Sequence, residues 1–184
     1  PDLRGNLETQ IANVADELAY TTHDLDDGLR SGMINPQILE GVALWEILRE
    51  TYNWHGSLLS DMERHRMIRQ LVGLLVTDMV KGTDARLKES KVSSATDIQK
   101  LKHNVVGYTE EMQRRNRELK DLLYKKLYRH YRVVRMQVKA ERIISDLFNA
   151  FRAEPTTLPD HVQFFIEKRG LERTICDYIA GMTD

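Results

Sequence analysis

The feature that most constrains this fold is one long amphipathic stretch, residues 6–32. Apolar side chains recur along it at intervals of three or four residues, which is the period of one helix face. Asn6 is a suitable N-cap, and Gly32 is a residue that commonly ends a helix. We therefore expect one long helix to lie at the centre of the molecule. Its apolar stripe consists of Leu7, Ile11, Val14, Leu18, Leu25 and Leu29.

Polar and small side chains occupy the rest of this predicted helix. The polar residues recur at helical spacing on the face opposite the apolar stripe. Small residues flank them, and small side chains let neighbouring backbones come close. We therefore expect the helix to be covered on more than one side, with its polar side chains lining a cleft or forming buried pairs. The polar set is Asp16, Tyr20, His23, Asp24 and Asp27, and the small set is Ala12, Ala15 and Ala19.

Composition predicts an all-α globular protein. The chain has 184 residues, 41% of them hydrophobic and 30% charged, which suits one domain with a real core. Glycine and proline are sparse, at 10 and 4 residues, and β-branched alternation is rare. Further helices are expected over residues 35–52, 60–88, 96–101, 109–131 with a bent continuation to 151, 160–168, and from 171 to about 180, with a mobile loop at 89–96.

Charge and hydropathy limit the classes of partner. The net charge is −1, which argues for neither a membrane surface nor a nucleic acid, although it leaves nucleic-acid binding open. No apolar run approaches the roughly 20 residues of a membrane span. The start of the chain lacks the apolar segment of a signal peptide, and a single cysteine permits no internal disulfide. We therefore expect a cytoplasmic protein.

Two stretches carry a resemblance to a known family. Residues 16–32 read DELAYTTHDLDDGLRSG, and residues 176–184 read CDYIAGMTD. Both resemble signatures of the dGTP triphosphohydrolase-like proteins, a branch of the HD-domain metal-dependent phosphohydrolases. The resemblance spans essentially all of this chain but not all of the family's protein. It implies a multi-helix, HD-domain-like fold in which residues 1–58 end the HD catalytic domain. Residues 59–184 would be the phosphohydrolase-associated region, packed on the first part as one structural unit.

The resemblance also implies an activity for the intact protein. That activity is metal-dependent hydrolysis of dGTP or another deoxynucleoside triphosphate to a deoxynucleoside and inorganic triphosphate. The cofactor would be a divalent metal, Mg²⁺ or Mn²⁺ or another first-row ion, and the intact protein would be a homo-oligomer. The alternative is a non-catalytic, all-helical interaction module. A His followed by a His-Asp pair upstream of Pro1 would favour the enzyme.

Asp16 is the candidate metal ligand. By the resemblance it is the last of four ligands, which are a His, an adjacent His-Asp pair and a distant Asp. The alternative is a surface or hydrogen-bonded helix aspartate. His23-Asp24 spells the expected pair, but no histidine precedes it, so we interpret it as the continuation of the family motif. The other three ligands are expected upstream of Pro1. Residues 1–184 alone are therefore expected to be inactive and less soluble.

Tyr20 and Asp24 are candidate substrate contacts on the same helix. The resemblance places the tyrosine near the phosphates of the nucleotide and the acid near the sugar hydroxyl. A carboxylate is a strong hydrogen-bond acceptor for a hydroxyl group. The alternative is a tyrosine ring packed at the edge of the core and a surface aspartate.

Lys120, Tyr124 and Tyr128 are further candidate substrate contacts, and His130 lies near them. The first three stand four residues apart, so they share one helix face. A cation suits phosphate, and aromatic rings suit a base or sugar. Residues 119–130, LKDLLYKKLYRH, resemble a family segment. The alternative is a solvated lysine beside a core stripe of leucines.

Two other positions receive structural interpretations. Arg64 stands in a cluster of basic residues at the start of the third predicted helix, where we expect solvent exposure and local ion pairs to Asp61 and Glu63. Cys176 follows the apolar Ile175, and we expect a buried, inert thiol.

Overall fold

The computed structural model describes residues 3–183. Pro1, Asp2 and the last residue of the predicted C-terminal motif, Asp184, lie outside that range. Between residues 3 and 183 every regular element is a helix and no strand occurs, so the all-α prediction is confirmed. The α-helices are α1 Leu7–Arg30, α2 Pro36–Leu39, α3 Ala43–Thr51, α4 Asp61–Ser90, α5 Ala95–Lys100, α6 Glu110–Leu123, α7 Tyr131–Ala153, α8 Asp160–Gln163, α9 Ile166–Arg169 and α10 Leu171–Ala180.

The chain forms two compact units. The first ends at His130 and the second begins at Tyr131. Residue 58, the predicted domain boundary, falls inside the first unit, where α1 packs along α4. The assignment of residues 1–58 and 59–184 to two parts of a family architecture stays a prediction.

Helix α1 begins as its sequence indicates. The Asn6 side chain accepts a hydrogen bond from the backbone N–H of Thr9 at 2.9 Å, which satisfies one of the free donors of the first turn. Leu18 and Leu25 of the predicted stripe are buried, but Ile11 is 41% exposed, so the stripe is wrong at that position. The alanine flank is mostly exposed as well. The buried face of α1 includes Thr21, Thr22 and Gly28 instead, because that side lies against α4 and the turn after α1.

The second predicted helix is two helices. Asn35 caps α2 as expected, accepting from the N–H of Ile38 at 3.0 Å. Helix α2 ends at Leu39, and Gly41 then adopts a φ of +83°, a conformation that glycine tolerates best. This turn separates α2 from α3. The apolar period continues through the turn, so periodicity alone did not reveal the break.

Helix α4 is held at its start by a capping box. The Ser60 side chain accepts from the backbone N–H of Glu63 at 3.3 Å, and Glu63 accepts from the N–H of Ser60 at 2.8 Å. The Ser60 hydroxyl also donates to the Glu63 carboxylate at 2.6 Å, and this bond, followed by the one from the Ser60 N–H, lowers the pKa of Glu63. The helix continues to Ser90, and only residues 91–94 separate it from α5, so the predicted loop at 89–96 is shorter than expected.

Arg64 corrects another expectation. It is only 6% exposed, and it donates to Asp26 of α1 as well as to Asp61 at 3.2 Å. Burial alone would lower the pKa of Arg64, but the bonds to the two carboxylates outweigh burial and raise the pKa. The partner on α1 lies 38 residues away in sequence, so local ion-pair reasoning missed it.

The segment before α6 is fixed against both α1 and α4. Gln10 of α1 accepts from the backbone N–H groups of residues 105 and 106 at 2.9 and 3.3 Å. Gly82 of α4 lies so close that a Cβ there would stand 2.6 Å from the carbonyl oxygen of Gly107. Arg86 donates to that same oxygen at 2.9 Å. The segment is therefore positioned by backbone contacts and not only by apolar packing.

Helix α6 ends in a wider turn. Thr109 caps its start and is itself held by Asp78 through two hydrogen bonds of 2.8 Å. After Leu123 the chain forms a π-helical turn over Tyr124–Tyr128, and α7 begins only at Tyr131. The predicted single helix of residues 109–131 is therefore interrupted, near where a bend was expected. Such π turns often occur at functional sites.

The second unit contains α7 to α10. Its small core consists of Leu158, Val162 and Ile175, with the rings of Phe151 and Tyr178 packed edge to face at 5.5 Å. The helix predicted over residues 160–168 is two short helices, α8 and α9. Cys176 is exposed, so the prediction of a buried thiol is wrong. The buried face of α10 includes Ile175, whereas the next residue, Cys176, faces solvent.

Candidate functional site

A cleft of about 520 Å³ lies between α1 and the end of α6. The structure brings six of the seven predicted site residues into its lining, although they come from segments about a hundred positions apart. His130 does not line it among the residues that the structure describes. We call this cavity the cleft. Its lining comprises Asn13, Asp16, Glu17, Tyr20, Thr21, Asp24, Lys120, Asp121, Leu123, Tyr124 and Tyr128.

Two polar contacts join the walls of the cleft. Lys120 Nζ lies 2.7 Å from Glu17 Oε1, and the Tyr128 hydroxyl donates to Asp24. Glu17 contacts Lys120, and the later residue Asp24 contacts the later residue Tyr128. Because the order is the same on both segments, one groove runs along α1. Tyr124 and Tyr128, the first and last residues of the π-helical turn, both line the cleft. Both contacts join residues more than a hundred positions apart, and local sequence patterns give no signal for such pairs.

The bond to Asp24 makes the Tyr128 hydroxyl harder to deprotonate. The hydrogen bond to the carboxylate, assisted by burial and by the nearby negative charge, raises the pKa of Tyr128 to about 12. The phenol acts as the donor of this bond and loses its proton only at a more alkaline pH than an ordinary tyrosine. Asp24 thus already accepts a hydroxyl hydrogen bond, which is the kind of bond that the sequence predicted for it.

Tyr124 extends an aromatic and cationic surface beside Tyr128. The two rings lie 6.3 Å apart with an interplanar angle of 38°. The Arg129 guanidinium stands 5.4 Å from the centre of the Tyr124 ring and also donates to its hydroxyl at 3.0 Å. This arrangement can contact a flat or sugar-like ligand through rings and hydroxyls. Sequence reasoning missed Arg129, although a cation five residues from a tyrosine was visible.

Asp16 and Tyr20 lie on the open side of the cleft. Asp16 is exposed, and it enters no ion pair with any residue from 3 to 183. Tyr20 is 64% exposed. Both side chains are therefore available to a ligand, and their assigned roles stay predictions.

The side chains of the cleft include oxygen atoms of the kind that bind divalent metals. A carboxylate oxygen such as that of Asp16 is a suitable ligand for Mg²⁺ or Mn²⁺. However, residues 3–183 contain no group of three or more His, Cys, Asp or Glu side chains placed to hold a metal. Catalytic sites generally use about three protein ligands. The described residues therefore do not bring such a set of ligands together by themselves.

Comparison with known proteins extends this picture. The family model of the phosphohydrolase-associated domain matches residues 106–184. A deoxyguanosinetriphosphate triphosphohydrolase-like protein of Geobacter sulfurreducens is 42% identical over the whole of this chain and 48% of its own length. Similarly named proteins of Deinococcus radiodurans and Ralstonia nicotianae are 38% and 41% identical over 97% of this chain and 48% and 46% of theirs.

Over essentially its whole length the chain is similar to proteins named deoxyguanosinetriphosphate triphosphohydrolase-like, and its C-terminal part matches the phosphohydrolase-associated domain. The predicted resemblance is therefore confirmed, and the chain spans about half the length of the curated relatives it matches. The phosphohydrolase-associated domain begins at residue 106, so it supplies Lys120, Tyr124 and Tyr128 to the cleft. Asp16 and its neighbours on α1 precede the domain. The cleft thus lies between α1 and the first part of the matched domain.

Within residues 3–183, no helix has both the length and the apolar character needed to cross a membrane.

Proposed function

We propose that the intact protein hydrolyses a deoxynucleoside triphosphate to a deoxynucleoside and inorganic triphosphate, and that this chain supplies one wall of the active site. One observation carries the proposal. Six residues chosen from sequence, on two segments far apart in the chain, line a single cleft. The names of the relatives point to the same class of reaction for those proteins.

Asp24 and Tyr128 would bind the sugar. The Asp24 carboxylate accepts a hydroxyl hydrogen bond from Tyr128 in the free protein. A sugar hydroxyl can donate to the same carboxylate, either at its second oxygen or by displacing the tyrosine. Hydrogen bonds to an ionised acceptor are about twice as strong as neutral ones. The Tyr124 and Tyr128 rings would then lie beside the sugar or base.

Lys120 and Tyr20 would contact the phosphates. Lys120 holds a positive charge 2.7 Å from Glu17, the residue that follows Asp16 in the sequence, and both line the cleft. The exposed Tyr20 hydroxyl is a hydrogen-bond donor for a phosphate oxygen. Fixed donors and cations that face developing phosphate charge are a common source of transition-state stabilisation.

Asp16 would supply one ligand to a divalent metal in the intact protein. A metal at this position would polarise the phosphoryl group and lower the pKa of a water molecule. The residues of this chain position the nucleotide around that point, with the sugar toward Asp24 and the phosphates toward Lys120.

The test is hydrolysis by the intact protein with Mg²⁺ or Mn²⁺ and each deoxynucleoside triphosphate, with the products separated by anion exchange. We expect inorganic triphosphate as the product. Asp16→Asn should lower the rate at least about a hundredfold, because it removes a ligand charge. Asp27→Asn, on the same helix outside the cleft, is the matched control.

Two results would contradict the proposal. One is release of pyrophosphate and a nucleoside monophosphate, which would mean that the bond between the α- and β-phosphates breaks and the bond to the sugar oxygen does not. The other is an Asp16→Asn variant with normal metal content and turnover. Absence of any metal-dependent hydrolysis would favour the non-catalytic helical module.

A further inference from the structure

Arg129 contacts a side chain of the cleft without lining the cleft itself. Its guanidinium donates to the Tyr124 hydroxyl at 3.0 Å and lies 5.4 Å from the centre of the Tyr124 ring. Among the described residues, Tyr124 lines the cleft and Arg129 does not. Arg129 is exposed and forms no ion pair with any residue from 3 to 183, so no carboxylate in that range neutralises its charge. Any effect of Arg129 on the cleft therefore passes through Tyr124.

The π-helical turn brings these two side chains together. On an α-helix, neighbouring side chains on one face are three or four residues apart, and a residue five positions on lies off that face. Here the backbone N–H of Arg129 bonds to the carbonyl oxygen of Tyr124, five residues earlier, at 3.2 Å. A π turn has this longer hydrogen-bond spacing. The wider turn therefore pairs Tyr124 with Arg129.

Packing alone holds the Tyr124 ring only weakly. The residue is 53% exposed, and the other ring beside it, that of Tyr128, lies 6.3 Å away. An exposed side chain exchanges among several rotamers, and a ligand that binds it must pay the entropy of ordering it. The two contacts from Arg129 favour one orientation of the ring before a ligand binds.

The bond from Arg129 also sets the role of the Tyr124 hydroxyl. A phenolic oxygen can donate or accept a hydrogen bond, but a guanidinium can only donate. The Tyr124 oxygen is therefore the acceptor from Arg129, and its own hydrogen remains for another partner. No residue from 3 to 183 accepts that hydrogen. Tyr124 thus presents a hydrogen-bond donor at the wall of the cleft.

The neighbouring contact indicates which part of a ligand would accept this hydrogen. Tyr128 donates to Asp24, where the proposed function places the sugar. We propose that Arg129 is a positioning residue, which fixes Tyr124 so that its hydroxyl donates to an oxygen or nitrogen acceptor of the deoxynucleoside part of the substrate. Arg129 does not touch the substrate. The inference rests on the proposed function for the identity of the ligand.

The first measurement needs no ligand. In the 184-residue chain with ¹³C-labelled tyrosine rings, the Tyr124 signals are those that disappear in Tyr124→Phe. We expect Arg129→Gln to move these signals toward the shifts of an exposed, mobile tyrosine. Arg129→Lys should move them as well, because lysine lacks the planar fork that stacks on a ring while it donates. The control is Arg114→Gln, an exposed arginine of α6 outside the cleft, which should leave them unchanged.

The second measurement is a calorimetric titration of the four deoxynucleosides into the intact protein. For the deoxynucleoside that binds most tightly, Arg129→Gln should weaken binding about fivefold, because one more side chain must be ordered on binding. In a Tyr124→Phe background the same substitution should weaken binding less than about twofold, because the hydroxyl that Arg129 holds is gone. Arg114→Gln should bind as the wild type does.

Three results would overturn the inference. They are unchanged Tyr124 ring signals in Arg129→Gln, an equal loss of affinity from Arg129→Gln in both backgrounds, and no binding of any deoxynucleoside to the intact protein. The hydrolysis assay is judged separately. The expected pattern of binding without metal-dependent hydrolysis would refute the proposed function and keep the role of Arg129. Hydrolysis together with wild-type deoxynucleoside affinity in Arg129→Gln would keep the proposed function and refute the role of Arg129.

Discussion

Replacing Gly82 by alanine tests how the segment before α6 is held in place. A Cβ at position 82 would stand 2.6 Å from the Gly107 carbonyl oxygen and 2.9 Å from the Thr109 nitrogen, and both are backbone atoms that cannot turn away. Alanine in a helix interior is otherwise favoured over glycine by about 1 kcal/mol. Overpacking of this kind costs about 1–3 kcal/mol. We therefore expect a net destabilisation of up to about 2 kcal/mol.

Gly73 is the matched control, because it lies on the same helix and a Cβ added there would meet no atom within 4 Å. Gly73→Ala should stabilise the protein by about 1 kcal/mol. The assay is urea denaturation followed by tryptophan fluorescence, with the free energy of unfolding taken from the transition midpoint and slope. The two variants should differ by about 1–3 kcal/mol. Equal stabilisation by both would show that α4 does not touch the 107–109 backbone.

Three further predictions concern ionisation, burial and assembly. Burial raises the pKa of Tyr108 in the folded state, so its contribution to the free energy of unfolding is present below pH 10 and is lost as pH rises toward 12, by roughly 2 kcal/mol. In alkaline unfolding titrations the Tyr108→Phe variant should not show this loss. An identical loss in the variant would contradict the assignment. Arg64→Met should lower the free energy of unfolding in urea by about 2–4 kcal/mol, whereas Arg66→Met, at an exposed position, should hardly change it. A small effect at Arg64 would show that its pair with Asp26 contributes little. Light scattering should find the intact protein as a homo-oligomer, with the exposed apolar side chains of α7 as candidate contacts; a monomer at all concentrations would refute this.

Local signals in the sequence were sufficient for most helix starts. Asn6, Asn35, Ser60 and Thr109 are cap residues whose side chains bond as their chemistry indicates. Helix interruptions were harder to predict. The turn at Gly41 and the π turn at Tyr124–Tyr128 lie inside continuous apolar patterns, because a pattern records burial and not the path of the backbone.

The candidate site was also predictable only in part. Asp16, Tyr20 and Asp24 could be grouped from spacing on one helix, and Lys120 with the two tyrosines from spacing on another. The contacts between the groups depend on how α1 packs beside α6, which no local pattern encodes. The Asp26 partner of Arg64 depends on tertiary packing for the same reason.

The most direct test of the account is to locate nucleotide binding on the chain itself. Titration of deoxyguanosine triphosphate into the ¹⁵N-labelled chain should shift the amide resonances of residues 16–24 and 120–128 in a saturable way. The resonances of α10 in the second unit should not move. Asp24→Asn should weaken binding about tenfold through loss of a hydrogen bond to a charged group, whereas Asp27→Asn should not. Shifts confined to residues outside the cleft, or equal affinity in Asp24→Asn, would contradict the assignment of the cleft as the nucleotide site.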